Sequence, residues 1–576
     1  MRAKRRPLVL LAALAAASFA LVLVAQTWLV PYELLGRARL PLEHLAAAPT
    51  AAEAARPEVD SPRRLGVGGD GGELPARGEG ERERGAEGPW RSAEAERAAM
   101  PAAVLVLLSH DRAEYLRRTL GAVLALADIS LVRVAVSLDA PARFGQMEAV
   151  VTDARRESKG VSVAVWRHMP PSTTRGIKPR PLALIAGHFY AALERALVAE
   201  AHSHAILLEE DLLVAPDFLS LFRAAAPLLA ADPSLWCVSA WNDNGMARGV
   251  PPPDELGRTD FFPGLGWMVS RGEWVSTLRG PWSAASAGAM STGWDYWLRF
   301  SGVLGTRECV FPLAPRTRHI GRRGTNVNAK EAIFLESFAL SQRPAAPPSA
   351  RASAHFAGAG VSGELSALQL APYDGWLRAL LVGEVNSTGA PLLKGGPPLV
   401  RAAELAEVGW RPPASVVLLP FSTEDYRTLS ARLPLWPAHA RGGHAGVVRT
   451  GHAGATVLLV DRRSAYGARW LPADERIERA SGAQLLPAPA PGVSCDEACA
   501  GRGLRCEEAQ LQLANSCEAL RANFACEAGC GHQLGDEIPC YVTDPARDTH
   551  GVCLHSDVLS RCAAAFKSTQ RLCVCV

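Results

Sequence analysis

His204-Ala205-Ile206-Leu207-Leu208-Glu209-Glu210-Asp211 decides how this chain reads: an apolar run fit for a buried strand, ended by three carboxylates. Acids at the carboxyl end of a strand project into the crevice where α/β sheets bind ligands. Oxygen donors there suit a hard divalent ion that holds a diphosphate. Out of context such a trio is more often a solvated loop, so the flanking sequence has to decide.

Outward from this stretch, strand-like and helix-like segments alternate, the pattern of an α/β sheet flanked by helices. Val104–Leu108, Val132–Leu138 and Val161–Trp166 read as strands, and Arg112–Leu126, Phe144–Ser158 and Leu182–Ala199 as helices. No repeat of a solenoid is evident, which leaves a mixed sheet around a single nucleotide site. A Rossmann dehydrogenase would carry Gly-x-Gly-x-x-Gly after the first strand, and Ser109-His110-Asp111-Arg112 stands there instead.

The chain has 576 residues, 48% of them apolar, and 61 Lys+Arg balance 58 Asp+Glu. That near-neutral charge gives no electrostatic footprint for nucleic acid, and the apolar content excludes a largely disordered chain. Residues 1–6 carry Arg2, Lys4, Arg5 and Arg6 and read as a cytoplasmic tail; Pro7 to Val30 is apolar enough to cross a hydrocarbon core of about 30 Å. We read 7–30 as an uncleaved signal anchor rather than a signal peptide, whose apolar region is shorter. Residues 31–100, rich in Ala, Gly, Arg, Glu and Pro, form a flexible stem. The expected lumenal body suits both the sequon Asn386-Ser387-Thr388 and the 11 cysteines, of 13 in all, between Cys495 and Cys575.

Three runs, His204–Phe222, Asp232–Gly245 and Arg258–Trp267, resemble the catalytic core of the Golgi β-1,2-N-acetylglucosaminyltransferase I family, which includes the protein O-mannose enzyme. The resemblance spans roughly residues 101–470 and is strongest over 204–330. It implies a GT-A nucleotide-sugar-binding fold with a mixed sheet, in a type II Golgi membrane protein. It further implies transfer of GlcNAc from UDP-GlcNAc to a mannose of a glycoprotein, with inversion and with Mn2+. Asp211 then matches the metal-binding acid that closes the trio begun by Glu209, and Glu210 stands in place of an Asp that contacts the ribose, one methylene longer. Arg112, Asp139 and His188 match the residues around the uracil; taken singly, each is an ordinary structural residue.

Asp295, in Gly293-Trp294-Asp295-Tyr296-Trp297, resembles the family's Trp-Asp-Asp-Trp segment with Tyr in the third place, which implies a general base. An inverting transfer needs one carboxylate to accept the acceptor hydroxyl's proton while that oxygen attacks. Without the resemblance, Asp295 reads as a helix cap. Gly321-Arg322-Arg323-Gly324-Thr325-Asn326 resembles the family's donor-covering loop, with Arg322 and Arg323 expected toward phosphate and Asn326 near the donor. The resemblance also implies a Cys237–Cys309 disulfide, while His110 and Ala140 occupy the places of a second pair.

We divide the body into a GT-A catalytic domain (101–370), the C-terminal part of the catalytic region (371–486) and a disulfide-rich accessory module (487–576), with a hinge at Pro487–Pro491. The cysteine spacing of the module resembles the end of the N-acetylglucosaminyltransferase V family. Its eleven cysteines leave at least one unpaired within the module, and the absence of a Cys-x2-Cys pair weakens a zinc reading. A non-catalytic glycan-binding or partner protein that kept the transferase fold is the alternative function.

Overall fold

The strand that opens the body, β1 (Val104–Ser109), is buried along its whole length, and its apolar side chains are covered by helices on both faces. We describe the protein from a computed structural model over residues 102–576, apart from 159, 172–179, 286–292, 323, 325–326, 348–351, 357–364, 384–395, 408, 438, 548 and 557. The expected tail, anchor and stem, and the sequon, lie outside the described residues. Among the described residues, the one helical stretch long and apolar enough to cross a membrane is Pro181–Ala199. It buries Phe189, Leu193 and Leu197 in the core of the domain.

β1 pairs in parallel with β2 (Arg133–Leu138), which pairs with β3 (Val163–Arg167); the chain then returns to the other side of β1 as β4 (His204–Glu209). After the short β5 (Leu212–Val214) come β6 (Leu235–Ser239), β7 (Leu256–Thr259), β8 (Trp267–Ser270) and β9 (Glu308–Pro312). These complete an eight-stranded sheet of order β3-β2-β1-β4-β8-β6-β9-β7, mixed because β8 and β7 run antiparallel to their neighbours. β10 (Thr317–His319) pairs with β5 in a separate two-stranded ribbon.

Helix α1 (Ala113–Leu124) forms because Leu116, Leu120 and Val123 recur on one face, which the sheet buries. Helices α2 (Phe144–Glu157), α3 (Pro181–Leu193) and α4 (Phe218–Ala231) follow; α3 opens on Pro181, whose fixed φ suits a first turn. The elements expected from sequence through β4 are all present, with boundaries shifted by at most two residues. The expected long helix departs from α geometry only at its end, where Glu194–Ala199 is π-helical. β6 and β9 are parallel neighbours with Cys237 opposite Cys309, and the expected disulfide joins them at a Cα separation of 4.7 Å.

A four-stranded sheet, β11 (Val416–Phe421), β12 (Gly443–His444), β13 (Val447–His452) and β14 (Ala455–Asp461), follows in the order β11-β14-β13-β12. Its Val416, Leu418, Val447 and Leu458 join the same apolar core as β1 and α1. The polar seam is also continuous: His444 bridges Glu308 (2.6 Å) and Asp374 (2.7 Å), while buried Arg258 binds Glu308 (2.6 Å) and Asp232 (2.8 Å).

The tail folds around β15 (Gln484–Pro487), β16 (Cys530–His532), β17 (Cys540–Val542), β18 (Cys553–His555) and β19 (Thr569–Cys575). Five disulfides staple it: Cys495–Cys573, Cys499–Cys575, Cys506–Cys562, Cys517–Cys530 and Cys526–Cys553. Cys540 is the unpaired, buried cysteine that the odd count required. The expected hinge begins differently. Gln484–Pro487 is paired with β19, and the Ala488 N–H donates to the Arg571 carbonyl at 2.8 Å, so the start of that stretch is held in the tail's sheet.

Candidate active site

In an α/β sheet, neighbouring parallel strands whose chains leave in opposite directions open a crevice at their carboxyl ends. Here that switch point lies between β1 and β4. The loop after β1 carries Ser109 to Arg112, the end of β4 carries Glu209 to Asp211, and the strands hold Leu108 opposite Glu209.

Arg112 spans the crevice. Its Nε donates to Glu210 Oε1 at 2.6 Å and its Nη1 lies 2.8 Å from Asp211 Oδ2. Glu210 also accepts hydrogen bonds from the Ser109 hydroxyl and the His110 N–H, so its longer side chain is folded back among protein donors. Burial raises the Glu210 carboxyl above its ordinary value although these partners pull the other way. At Asp211 burial also pushes upward, but His319 and Arg112 outweigh it and hold the carboxyl below the usual range. Burial pushes the Glu209 carboxyl up to about 7, helped by the charges of Asp211 and Asp295.

His319 was not singled out in the sequence. The β5–β10 ribbon sets it opposite Leu212, and its Nε2 stands 3.5 Å from Asp211 Oδ2. Gly321 closes the same corner: a Cβ there would meet the Asp211 carboxylate and, at 2.8 Å, the His319 ring, so only glycine lets the backbone approach. A buried carboxylate oxygen beside an imidazole nitrogen is a donor set that fits a divalent transition ion such as Mn2+. The signal missed in the sequence was His319 itself, two residues before the glycine of the expected loop.

A second group forms at the end of β2. Asp139 accepts a hydrogen bond from His110 Nδ1 at 2.7 Å and lies 3.4 Å from His188 Nδ1. His188 reaches the Ser137 hydroxyl through Nε2 at 2.8 Å, and the His168 ring stacks on it at 5.6 Å. Burial lowers His188 to about 4, so it is neutral near pH 7. For Asp139 the upward push of burial is outweighed by the His110 hydrogen bond and the neighbouring imidazoles. His110, one of the two positions where the second cysteine pair is missing, is thus bonded to Asp139, and His168 was not foreseen.

Asp295 sits in the first turn of helix α5 (Trp294–Phe300), preceded by Gly293 at φ 114°. The N-cap position is Gly293 rather than Asp295, and Asp295 Oδ2 accepts from Arg299 Nη1 at 2.7 Å. The helix is anchored by buried Trp294, which packs against Phe189, Phe262, Trp267 and Trp282. Arg322 pairs with Glu336 at 3.0 Å on the surface. The surface carboxylate supplies a partner that the sequence could not place. Arg323, Thr325 and Asn326 lie outside the described residues.

The strand order, with acids at the switch point, fits the mixed-sheet nucleotide-sugar-binding fold expected from the sequence. Residues 81–343 match the model of the GNT-I family. An α-1,3-mannosyl-glycoprotein 2-β-N-acetylglucosaminyltransferase of Arabidopsis thaliana is 33% identical over 250 residues, 42% of this chain and 52% of that protein. The chain therefore spans about half the length of this curated relative. Among solved structures, a mannosyltransferase from Pyrobaculum calidifontis in complex with GDP-Man and Mn2+ is 17% identical over 30% of this chain and 44% of that one, with a TM-score of 0.21. Glucosyl-3-phosphoglycerate synthase from Mycobacterium tuberculosis, in complex with Mn2+, UDP and phosphoglyceric acid, is 15% identical over 44% of this chain and 83% of that one, with a TM-score of 0.24.

Proposed function

We propose that the protein is an inverting glycosyltransferase that moves GlcNAc from UDP-GlcNAc to a mannose of a glycoprotein glycan in β-1,2 linkage. The observation that carries the reading is the meeting of the β1 and β4 loops, where Arg112 holds Glu210 and Asp211 together. The match of residues 81–343 to the GNT-I family model supports the sugar and the acceptor class.

In this reading Arg112, Glu209, Glu210, Asp139 and His188 line the donor pocket, with Asn326 from the covering loop. Asp211 and His319 hold the divalent ion, Mn2+ by preference, because the set pairs oxygen with nitrogen. When bound, that ion stabilises the charge that develops on the departing diphosphate. Asp295 accepts the proton of the attacking mannose hydroxyl, and Arg299 keeps its carboxylate oriented along the helix. The residues 7–30 would anchor the enzyme in the Golgi membrane with the body in the lumen.

One observation favours the alternative, a glycan-binding protein without turnover: Glu210 is already satisfied by Ser109, His110 and Arg112. The two readings separate on UDP release from UDP-GlcNAc with Mn2+ and a panel of mannosides. We expect release with wild type and its loss in Asp295→Ala. No release with any acceptor, or undiminished release in the variant, overturns the proposed function.

A further inference from the structure

The cysteine-rich tail touches the catalytic helix at its most sensitive point. The Tyr296 hydroxyl donates to the His532 carbonyl at 3.0 Å and accepts from the His532 N–H at 2.9 Å. One side chain of α5 is thus bonded to both polar groups of a single residue in β16. The receiving strand is itself fixed, since Cys530 is bonded to Cys517 and β16 pairs with β18, whose Cys553 is bonded to Cys526.

The far end of α5 is held by the same module. Arg521 donates to the Ser301 carbonyl, capping the helix, and the His555 ring packs on Phe300 at 5.4 Å. The backbones approach closely. Gly529, at φ 84°, would carry a Cβ 3.0 Å from Ser301 Cα, so a side chain there would separate the two parts.

The contacts run on around the base. Asp295 bonds Arg299, Arg299 lies over the Phe261 ring at 4.7 Å, Phe261 meets His439 at 5.7 Å, and His439 meets His532 at 5.1 Å. His532 returns the path to Tyr296, the residue next to Asp295. The tail is therefore one wall of the centre that holds the carboxylate.

We propose that Tyr296 is a positioning residue: by clamping α5 to the His532 peptide, it makes the disulfide-stapled tail set the placement of Asp295. A seven-residue helix has too few internal hydrogen bonds to stand alone, so its orientation comes from what it packs against. Trp294 fixes one face from the sheet side, and Tyr296 fixes the other from the tail. The Tyr found where the resembling family has an acid is in this account the docking group for the module. The inference rests on Asp295 being the base.

The test is Tyr296→Phe in the full chain, which keeps the ring against Phe300 and removes only the hydroxyl. We expect hydrogen exchange of the amides of residues 294–301 to rise about tenfold while those of β1 and β4 stay as in wild type. We expect kcat to fall about tenfold, with KM for UDP-GlcNAc changed less than about twofold, because misplacing a catalytic group slows the chemical step and spares donor binding. Unchanged exchange, or raised exchange with unchanged kcat, overturns the proposal. So does a fall in donor affinity and melting temperature alongside kcat, which marks a purely structural role. A wild type without turnover would refute the proposed function and with it this role for Asp295, while the exchange result would still decide whether the clamp exists.

Discussion

His319 Nε2 stands 3.5 Å from Asp211 Oδ2, delivered there by a two-stranded ribbon that is separate from the main sheet. The pair is buried and shares its carboxylate with Arg112. Asp211→Asn should abolish Mn2+-dependent binding of UDP measured by calorimetry. His319→Ala should weaken it about 10- to 100-fold, the scale on which supporting groups affect metal sites. EDTA should remove UDP binding from wild type and added Mn2+ should restore it; binding that ignores EDTA would contradict the assignment.

Asp295 and Arg299 lie one turn apart on α5 and form a 2.7 Å ion pair. Asp295→Asn keeps the shape and removes the proposed base. Its kcat should fall about 10²- to 10⁴-fold, the range for loss of a positioned general base. UDP affinity should stay as in wild type, since no contact of Asp295 with the β1 loop is needed to hold the donor. Equal losses in both would assign the residue to donor binding.

Arg258 is buried with Asp232 and Glu308, and it also donates to the Leu368 carbonyl at 2.9 Å. Arg258→Met would leave two carboxylates without their shared cation in the interior. Removing one partner of a buried ion pair costs about 3–5 kcal/mol, so the denaturation midpoint should fall sharply. A variant as stable as wild type would show the seam to be dispensable.

Burial lowers both His188 and His204 to about 4 from 6.5. Between these values the unfolded chain binds protons that the folded chain refuses, so stability must decline as pH falls from 6.5 toward 4. Each histidine contributes a loss of about 3 kcal/mol across that window, at 1.36 kcal/mol per pKa unit. His204→Gln should flatten part of the acid limb in melting experiments run from pH 7 to 4. An unaltered slope would mean that other groups carry it.

The order of strands and helices up to β4 was legible because each element repeats an apolar spacing that only one period fits. The acidic trio was legible because charge placed directly after an apolar strand must surface at its end. Most of the remaining site residues came instead from the resemblance of short runs to a family, and the structure shows partners for them that those runs do not reveal. Glu210 turns back to Ser109, His110 and Arg112, since its extra methylene gives it the reach. Arg322 pairs with Glu336, fourteen positions onward, a partner that no local pattern advertises.

By itself, then, the sequence determined the α/β class, the strand that ends in carboxylates and an odd cysteine in the tail, because burial periodicity, charge placement and parity are local or countable. Only the tertiary structure decided which cysteines pair, that His319 meets Asp211, and that Tyr296 closes on His532, 236 residues away. Such contacts arise when sheet order and disulfides bring distant segments within hydrogen-bond reach. Their energies depend on distances that a linear chain does not specify.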